Sequence, residues 1–452
     1  MITYQDMLLV GENEKNRIAF VRDVIGKHRS SQMYRIARDA EEYRKGRNKT
    51  ICDYQKLLYT VSGKAIPDNY SANYKIPSRF FKRFITQETQ YLLGNGVQWG
   101  EESTKDRLGA DFESRLKEAA KDALCHGVAF GFMNYDHLDV FSLLEFAPLY
   151  DEENGSLRAG VRFWQIDGSK PLRATLYEED GYTEYIWNRR EGATTNPEGE
   201  VYTPKKRYTQ NVRISAVDGT EILDGENYPT FPIVPLWGNE ERQSELVGIR
   251  EQIDAYDLIK SGFCNTVDEA SFIFWTIQNN GGVDDVDLAQ FVERIKTVHA
   301  ANMPADAQAQ AHTLEAPHES RDALLDRIKS DMYDDFMALD VKSIASGAAT
   351  ATQIRAAYEP LNSKCDDFEY CIHDFLDGIL AVIGIEDTAT FTRSTIVNVQ
   401  EEITSVISAA QYLDDSYVTE KILTILGDAD KAEDVLKQMD ADGIERLTTE
   451  EE

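Results

Sequence analysis

The strongest constraint on the fold of this chain is a stripe of apolar residues that runs from Ile354 to Val382. Its members lie alternately four and three residues apart, which is the spacing of one face of an α-helix. About 30 residues at about 1.5 Å each give a helix of roughly 45 Å. The stripe comprises Ile354, Tyr358, Leu361, Cys365, Phe368, Ile372, Phe375, Ile379 and Val382. The sequence therefore predicts one long buried helix with a coiled-coil-like spacing.

A proline lies inside the stripe, and a segment almost without side chains precedes it. Pro360 removes one backbone hydrogen bond and clashes with the preceding turn, which costs on the order of 3 kcal/mol in a straight helix. A bend at Pro360 relieves the clash, so the sequence predicts a kinked helix. The preceding segment contains Ser346, Gly347, Ala348, Ala349, Thr350 and Ala351. Because these side chains are small and Gly347 adds backbone freedom, the segment can enter a narrow space.

The first part of the chain is expected to be mainly helical. Residues 1–60 show a highly charged helical pattern. The apolar face from Phe80 to Leu92 predicts a helix that stops at the glycines of residues 94–96, and a further helix is expected to end at Gly127. Together with the long helix and with the strands expected further along the chain, this pattern predicts an α+β fold that is predominantly helical.

The middle of the chain changes period twice. Between residues 128 and 235, short aromatic and β-branched runs are separated by turns such as Asp180-Gly181, which predicts mostly antiparallel strands. Two amphipathic helices follow, at about 245–263 and 322–339, and a mixed segment lies between them. This order suggests helices that run out and back, with the insertion at their far end.

Charge and composition exclude several classes of protein. The 452 residues include 48 Lys and Arg against 79 Asp and Glu, a net charge of −31 that argues against a conventional nucleic-acid binder or a partner of anionic membranes. The apolar runs are far below the ~18–20 residues of a membrane span, and no signal peptide is apparent at the N-terminus. The five scattered cysteines are typical of reduced thiols. We expect a cytosolic protein with no membrane partner.

Motifs for catalysis are missing. The sequence lacks a phosphate-binding loop, a serine nucleophile elbow, an HExxH pair and a CxxC pair. Asp284, Asp285 and Asp287 leave two interpretations, either a Mg²⁺ site for phosphoryl transfer or a glycine-rich turn with aspartates at a helix N-terminus. We favour the turn, and predict no catalytic residue, no metal and no cofactor.

The order of the elements resembles a known family. Three stretches carry the resemblance, namely "NYKIPSRFFKRFITQETQYLLGNGV", "FPIVPLWGNEERQSELVGIREQIDAYDLIKSGFCNTVDE" and "SGAATATQIRAAYEPLNSKCDDFEYCIHDFLDGIL". They span much of the chain in the order found in bacteriophage portal proteins, the head-to-tail connectors of tailed phages. The chain looks most similar to the portal proteins of long-tailed phages of Gram-positive hosts.

This resemblance implies a ring, usually of twelve subunits, around a central channel. Its regions would be the wing (1–240, with a helical N-terminal part and a β-rich part at about 128–235), the first stem helix (241–264), the clip (265–319), the second stem helix (320–340), the tunnel loop (341–352), the kinked wing helix (353–384) and the crown with an acidic tail (385–452). Residues 401–452 hold 15 acidic and 4 basic side chains, which suits such a tail.

A channel through which DNA slides should not bind it, so acidic residues on the two stem helices are candidates for its wall. An ordinary solvated helix face is the alternative for each of them. The candidates are Glu251, Asp254, Asp257, Asp331, Asp334 and Asp335. Lys342 is the cation at the start of the tunnel loop, where it would either touch phosphate transiently or cap the preceding helix.

The resemblance also implies the partners of the chain. These would be further copies of itself, double-stranded DNA that passes through without sequence-specific binding, the terminase large subunit that powers packaging, a head-tail connector or adaptor protein, and the major capsid and scaffolding proteins. It would be made in the cytoplasm of the host bacterium, and its place would be the portal vertex of the virion capsid. Two alternatives stay open from the residues alone, a metal-dependent phosphoesterase or nuclease that uses the Asp284–Asp287 cluster, and a monomeric acidic adaptor.

Overall fold

The structure, a computed structural model, describes residues 2–60, 62–69, 71–191, 194–214, 221–270, 273–278, 308–313, 318–342, 351–394, 399–426 and 435. The fold is α+β, with more of the described residues in helices than in strands. The helices are α1 (Tyr4–Val10), α2 (Glu14–Ser30), α3 (Gln32–Arg44), α4 (Lys49–Cys52), α5 (Phe80–Leu93), α6 (Glu102–Leu108), α7 (Phe112–His126), α8 (Arg250–Ala270), α9 (His318–Asp335), α10 (Ala351–Ile383), α11 (Val399–Ala409) and α12 (Asp415–Leu426), with a 3₁₀ turn at Ala410–Tyr412.

The strands form small antiparallel sheets. They are β1 (Leu57–Tyr59), β2 (Ala65–Pro67), β3 (Val97–Trp99), β4 (Val128–Asn134), β5 (His137–Ser142), β6 (Phe146–Tyr150), β7 (Leu157–Trp164), β8 (Leu172–Glu178), β9 (Gly181–Trp187), β10 (Arg189–Glu191), β11 (Thr194–Asn196), β12 (Glu200–Lys206), β13 (Thr209–Ile214), β14 (Glu221–Glu226), β15 (Ile233–Trp237), β16 (Ile273–Gln278), β17 (Gln308–Thr313) and β18 (Ala389–Phe391). The largest sheet has the order β12-β9-β8-β7-β6, and a second has the order β15-β4-β5. The prediction of antiparallel strands between residues 128 and 235 is confirmed.

Three expected boundaries differ from the structure. Leu57–Tyr59 pairs with Ala65–Pro67 as the β1–β2 hairpin, whereas the sequence predicts a helical pattern up to residue 60. The helix expected from about residue 245 begins at Arg250, because the preceding residues form turns in which Ser244 Oγ accepts the Leu246 N–H. Helix α9 begins at His318 rather than Asp322 and ends at Asp335.

The main core lies where α10 crosses the β15-β4-β5 sheet. The helix comes so close that a Cβ atom on Gly131 would lie 2.5 Å from the Phe375 ring, and one on Gly378 would lie 2.6 Å from Val234. Helices α5 and α7 complete this core, and α7 ends as predicted at Gly127, whose φ of 89° suits glycine. A second core lies between α2 and the five-stranded sheet.

Within the described ranges, none of the helices has both the length and the apolarity needed to cross a lipid bilayer.

Candidate functional site

Helices α8 and α9 pack against each other in opposite directions. Gln252 near the start of α8 donates to Asp335 at the end of α9, while Arg321 near the start of α9 donates to Thr266 Oγ1 near the end of α8 at 2.9 Å. Strands β16 and β17 pair with each other in the chain segment between the two helices. The two helices therefore run out and back, and a hairpin belongs to the segment that connects them.

Two of the six acidic wall candidates do not face solvent. Asp257 is fully buried, and its two oxygens accept hydrogen bonds from the Ser78 N–H at 2.8 Å and from Asn48 Nδ2. Burial raises the pKa of Asp257, and these hydrogen bonds oppose the rise. Asp254 keeps only 17% of its side chain exposed and accepts from Thr50 Oγ1 at 2.7 Å and from Tyr43 Oη at 2.5 Å. Both carboxylates are thus engaged inside the subunit, and neither lies on a solvated helix face.

The four other candidates lie at the surface of the helix pair. Glu251, Asp334 and Asp335 are exposed, and Asp331 is half-buried beside Arg327, whose Nε lies 2.9 Å from its carboxylate. Of the six candidates, these four carboxylates are accessible in the subunit, and Glu319, Asp322 and Asp326 are further exposed carboxylates on α9.

An extended segment lies along the polar side of α8. The backbone N–H groups of Tyr74, Ile76 and Ser78 donate to the side chains of Asn265, Ser261 and Asp257, at 2.7, 3.1 and 2.8 Å respectively. Two residues of extended chain advance about 6.6 Å and four residues of α-helix advance about 6 Å, so every second N–H meets every fourth helical side chain. This match of repeats ties the N-terminal part of the chain to α8.

Most of the small-residue loop lies outside the described residues. This applies to Ser346, Gly347, Ala348, Ala349 and Thr350, as it does to Asp284, Asp285 and Asp287. Ala351 is the first residue of α10. Lys342 is exposed and lies seven residues beyond the end of α9, too far to cap that helix, and its backbone N–H donates to Asp340 Oδ1 at 3.2 Å.

The long helix predicted from the apolar stripe is present as α10, a single helix of 33 residues that contains Pro360. The stripe faces the protein, since every member from Tyr358 to Val382 is buried and Ile354 is partly buried. Pro360 itself is exposed. Near it, the ring of Tyr358 stacks on that of Tyr91 with the centroids 5.4 Å apart, which joins the first turns of α10 to α5.

A buried charge cluster joins α10 to both helices of the pair, and sequence reasoning missed it. Lys364 Nζ lies 2.7 Å from Glu245 Oε2, 3.3 Å from Glu88 Oε2 and 3.3 Å from the carbonyl oxygen of Phe336. The same ammonium lies 3.3 Å from the centroid of the Phe336 ring, a cation–π contact. Glu88 is on α5, Glu245 precedes α8 and Phe336 follows α9. One ammonium on α10 therefore contacts α5, the turn before α8 and the residue after α9.

Protonation at this cluster is set by burial. Burial raises the pKa of Glu88 to about 7 against the opposing charge of Lys364. The carboxylates of Glu88 and Glu245 in turn raise the pKa of Lys364 above its ordinary value despite its burial. Burial therefore favours the protonated form of Glu88, while Lys364 stays a charged ammonium beside Glu245.

One group of residues in the described part of the chain has the donor atoms of a metal site. Glu41, Cys125 and His126 place a carboxylate oxygen, a thiol and a ring nitrogen within 4.8 Å of one another. Glu41 already pairs with Arg44 at 2.7 Å and Lys45 at 3.1 Å, and burial raises the pKa of the Cys125 thiol. Because cations already compensate the carboxylate and the thiol is held protonated, this group fits a packed ion network better than a metal.

Sequence comparisons with known proteins agree on one family. A family model described as "Phage portal protein, SPP1 Gp6-like" matches residues 25–447. The portal protein of Bacillus phage SPP1 is 23% identical over 385 residues, which cover 78% of this chain and 73% of that protein. The portal protein of Clostridium phage phiCD119 is 24% identical over 185 residues, or 39% of this chain and 41% of that protein. A solved structure entitled "Neck of native GTA particle computed with C12 symmetry" is 12% identical, covers 76% of this chain and 89% of its own, and has a TM-score of 0.42.

Proposed function

This chain belongs to the SPP1 Gp6-like family of phage portal proteins, and on that premise we propose that it assembles into a ring, usually of twelve subunits, at one vertex of the virion capsid. The observation that carries the proposal is the match of the family over residues 25–447. The ring is the conduit through which the genome enters and leaves the capsid. Within the virion the chain is a structural component and needs no cofactor.

In this ring, α8 and α9 form the stem. Their antiparallel pairing, with the β16–β17 hairpin in the connecting segment, supports a stem that ends in a clip at about residues 265–319. The β-rich part and the N-terminal helices form the wing, and residues 385–452 form the crown with an acidic tail. The clip is where the terminase large subunit docks during packaging and where a head-tail connector docks afterwards. Scaffolding and major capsid proteins surround the wing during capsid assembly.

Four of the six acidic candidates are available for the wall of the stem. Glu251, Asp331, Asp334 and Asp335 are accessible in the subunit, and we assign to them the repulsion that keeps the DNA backbone from adhering. Asp254 and Asp257 are excluded from this wall because they are engaged inside the subunit.

The segment of residues 341–352 is the tunnel loop, and α10 is the wing helix that carries it. Its small side chains, from Ser346 to Ala351, let many copies crowd the axis and offer DNA no charge to hold. Lys342 is the exposed cation where the loop begins, and it touches phosphate transiently. The bend expected at Pro360 directs the first turns of α10 toward the axis.

Single-particle imaging of the purified full chain tests the proposal. Closed rings with a central channel are expected, and a chain that stays monomeric at every concentration contradicts it. DNA left intact with Mg²⁺ or Mn²⁺ is expected in the same preparation, whereas cleavage that disappears in Asp285→Ala would favour a nuclease instead.

For the loop, Gly347→Arg and Ala349→Trp should form normal rings that package DNA poorly, and normal packaging by both variants contradicts the loop assignment.

A further inference from the structure

An exposed apolar hairpin projects from the N-terminal part of the subunit. We call residues 53–60, 62–69 and 71–75 the arm, which contains β1 and β2. All six residues of the two strands are exposed, on both faces of the hairpin. Six of the 21 large hydrophobic side chains that are exposed in the described residues belong to the arm: Tyr54, Leu57, Leu58, Tyr59, Ile66 and Tyr74. Tyr59 reaches 74% exposure. Such a concentration marks a contact surface rather than scattered surface apolarity.

The base of the arm is fixed, although its tip is uncovered. After the arm, the chain is held against α8 by the hydrogen bonds that the N–H groups of Tyr74, Ile76 and Ser78 donate to side chains of that helix. Lys75 Nζ closes the loop by donating to the carbonyl of Cys52 at 2.6 Å. Inside the arm, the buried Asp68 accepts the Ser71 N–H at 3.0 Å. The arm therefore has a base that is fixed by hydrogen bonds and strands that are exposed.

A hairpin of this kind needs a surface to cover it. Two-stranded hairpins are marginally stable in water by themselves, and they persist when their apolar residues pack against something else. Within the described part of its own subunit, the strand residues of the arm find no such cover, since each stays exposed. A second molecule can supply this cover.

Charge and symmetry indicate which molecule this is. The arm has three lysines and two aspartates, one of them the buried Asp68, in a chain whose net charge is −31. With three lysines against two aspartates, it is an apolar projection of slight positive charge on an acidic subunit, and in the proposed ring another copy of the chain is the acidic partner beside it. In a closed ring, each subunit offers two different surfaces to its neighbours, and a projection from one side is a natural half of such a contact.

We propose that the arm docks on the neighbouring copy of this chain and locks adjacent subunits of the ring together. The proposal rests on the ring of the proposed function and adds to it the segment that makes the contact. The anchoring of the arm to α8 places this contact beside the helix that we assign to the stem.

A polar variant of the tip tests the contact by assembly. Leu58→Ser with Tyr59→Ser should raise the protein concentration at which half of the chains are assembled by about tenfold or more, measured by sedimentation velocity. The circular dichroism spectrum and melting temperature of the monomer should stay at wild-type values, because both side chains are exposed in the subunit. Ile166→Ser is the matched control, since Ile166 is 85% exposed on a loop of the β-rich part. Equal assembly by the tip variant and the control overturns the proposal.

Photo-crosslinking separates the contact from the ring itself. A benzoylphenylalanine at position 59, in a mixture of two differently tagged chains, should yield dimers that carry both tags when rings are illuminated. Position 166 should yield none. If rings form and position 59 gives no such dimer, the arm contact is wrong while the proposed ring stands. If the wild-type chain forms no ring under any condition, both fall together.

Discussion

Asp257 accepts hydrogen bonds from two buried donors. Its oxygens satisfy the backbone N–H of Ser78 and the side-chain amide of Asn48. In Asp257→Ala the Ser78 N–H loses this acceptor, while the Asn48 amide keeps the Ser78 carbonyl oxygen at 3.1 Å, and a buried unpaired polar group costs about 1–3 kcal/mol. We expect the free energy of unfolding to fall by about 1–3 kcal/mol, measured by urea denaturation.

A conservative change at the same position is the control for this prediction. Asp257→Asn keeps one acceptor oxygen, so it should lose clearly less stability than the alanine variant. Glu251→Ala, on an exposed position of the same helix, should change stability by no more than about 0.5 kcal/mol. Equal losses in the Asp257→Ala and Glu251→Ala variants would show that the buried contacts contribute little.

Glu88 makes the stability of the protein depend on pH. Burial raises its pKa in the folded state to about 7, from an ordinary value of 4.5, although Lys364 opposes the rise. The folded state then holds this proton more tightly than the unfolded chain. The stabilisation from Glu88 is therefore fully present below about pH 4.5 and is lost as the pH rises toward about 7.

The comparison of wild type with Glu88→Gln isolates this effect from the many other acidic groups. Between about pH 4.5 and 7, the urea midpoint of the wild type should fall relative to that of the variant, whose amide does not titrate. Parallel midpoints across this window would contradict the prediction.

Lys364→Met should be strongly destabilising by about 3–5 kcal/mol, because it leaves Glu88 and Glu245 without their cation.

Residue by residue, the sequence identifies the polar groups but not their partners. Asp257, Ser261 and Asn265 stand four apart, a visible stripe of short polar residues on one helix. Their acceptors serve N–H groups that lie 179 to 191 residues earlier in the chain, and no local pattern encodes such a distance. For the same reason, acidity alone could not separate the buried Asp257 from the exposed Asp334 on the neighbouring helix.

At the level of elements, α10 shows what periodicity can predict. The stripe from Tyr358 to Val382 is buried as its spacing requires, because the side chains of one helical face share one environment. Periodicity could not fix the start of α8, because local turns around Ser244 precede the helix. The β1–β2 hairpin was missed because the charged helical pattern of the preceding residues continues almost to it.

Pro360 is the element-level test of the expected bend. Proline is about 3 kcal/mol less favourable than alanine in a helix interior, and Pro360 is exposed, so alanine fits there without a clash. Pro360→Ala should therefore raise the melting temperature while it lowers the amount of DNA packaged in vitro, because a straighter helix carries the loop elsewhere. Ser363→Ala, an exposed change in the same helix, should leave packaging unaltered. A stabilised Pro360→Ala protein that packages DNA normally would remove any role for the bend.

For the molecule as a whole, the net charge of −31 has two separate uses. Some of the acidic residues lie inside the subunit. Asp254 contacts Thr50 of the N-terminal segment, and Glu88 contacts Lys364 of the long helix. The exposed part is the one that another molecule can contact. The total charge therefore says little about the proposed channel wall until the buried carboxylates are subtracted, and four of the six candidates on the helix pair are accessible in the subunit.

Reversing part of this exposed charge should turn a passive wall into one that holds DNA. Asp331→Lys with Asp334→Lys adds two cations per subunit, and each phosphate contact that they make releases counterions and strengthens adhesion. We expect rings of normal size whose packaging is slower by about tenfold or more, with the defect relieved as salt is raised, since screening weakens such contacts. Glu153→Lys with Glu198→Lys makes the same change of charge on exposed loops of the β-rich part and should package at the wild-type rate. If both double variants slow packaging equally, the effect belongs to net charge and not to the stem, and the acidic wall along α8 and α9 must be given up.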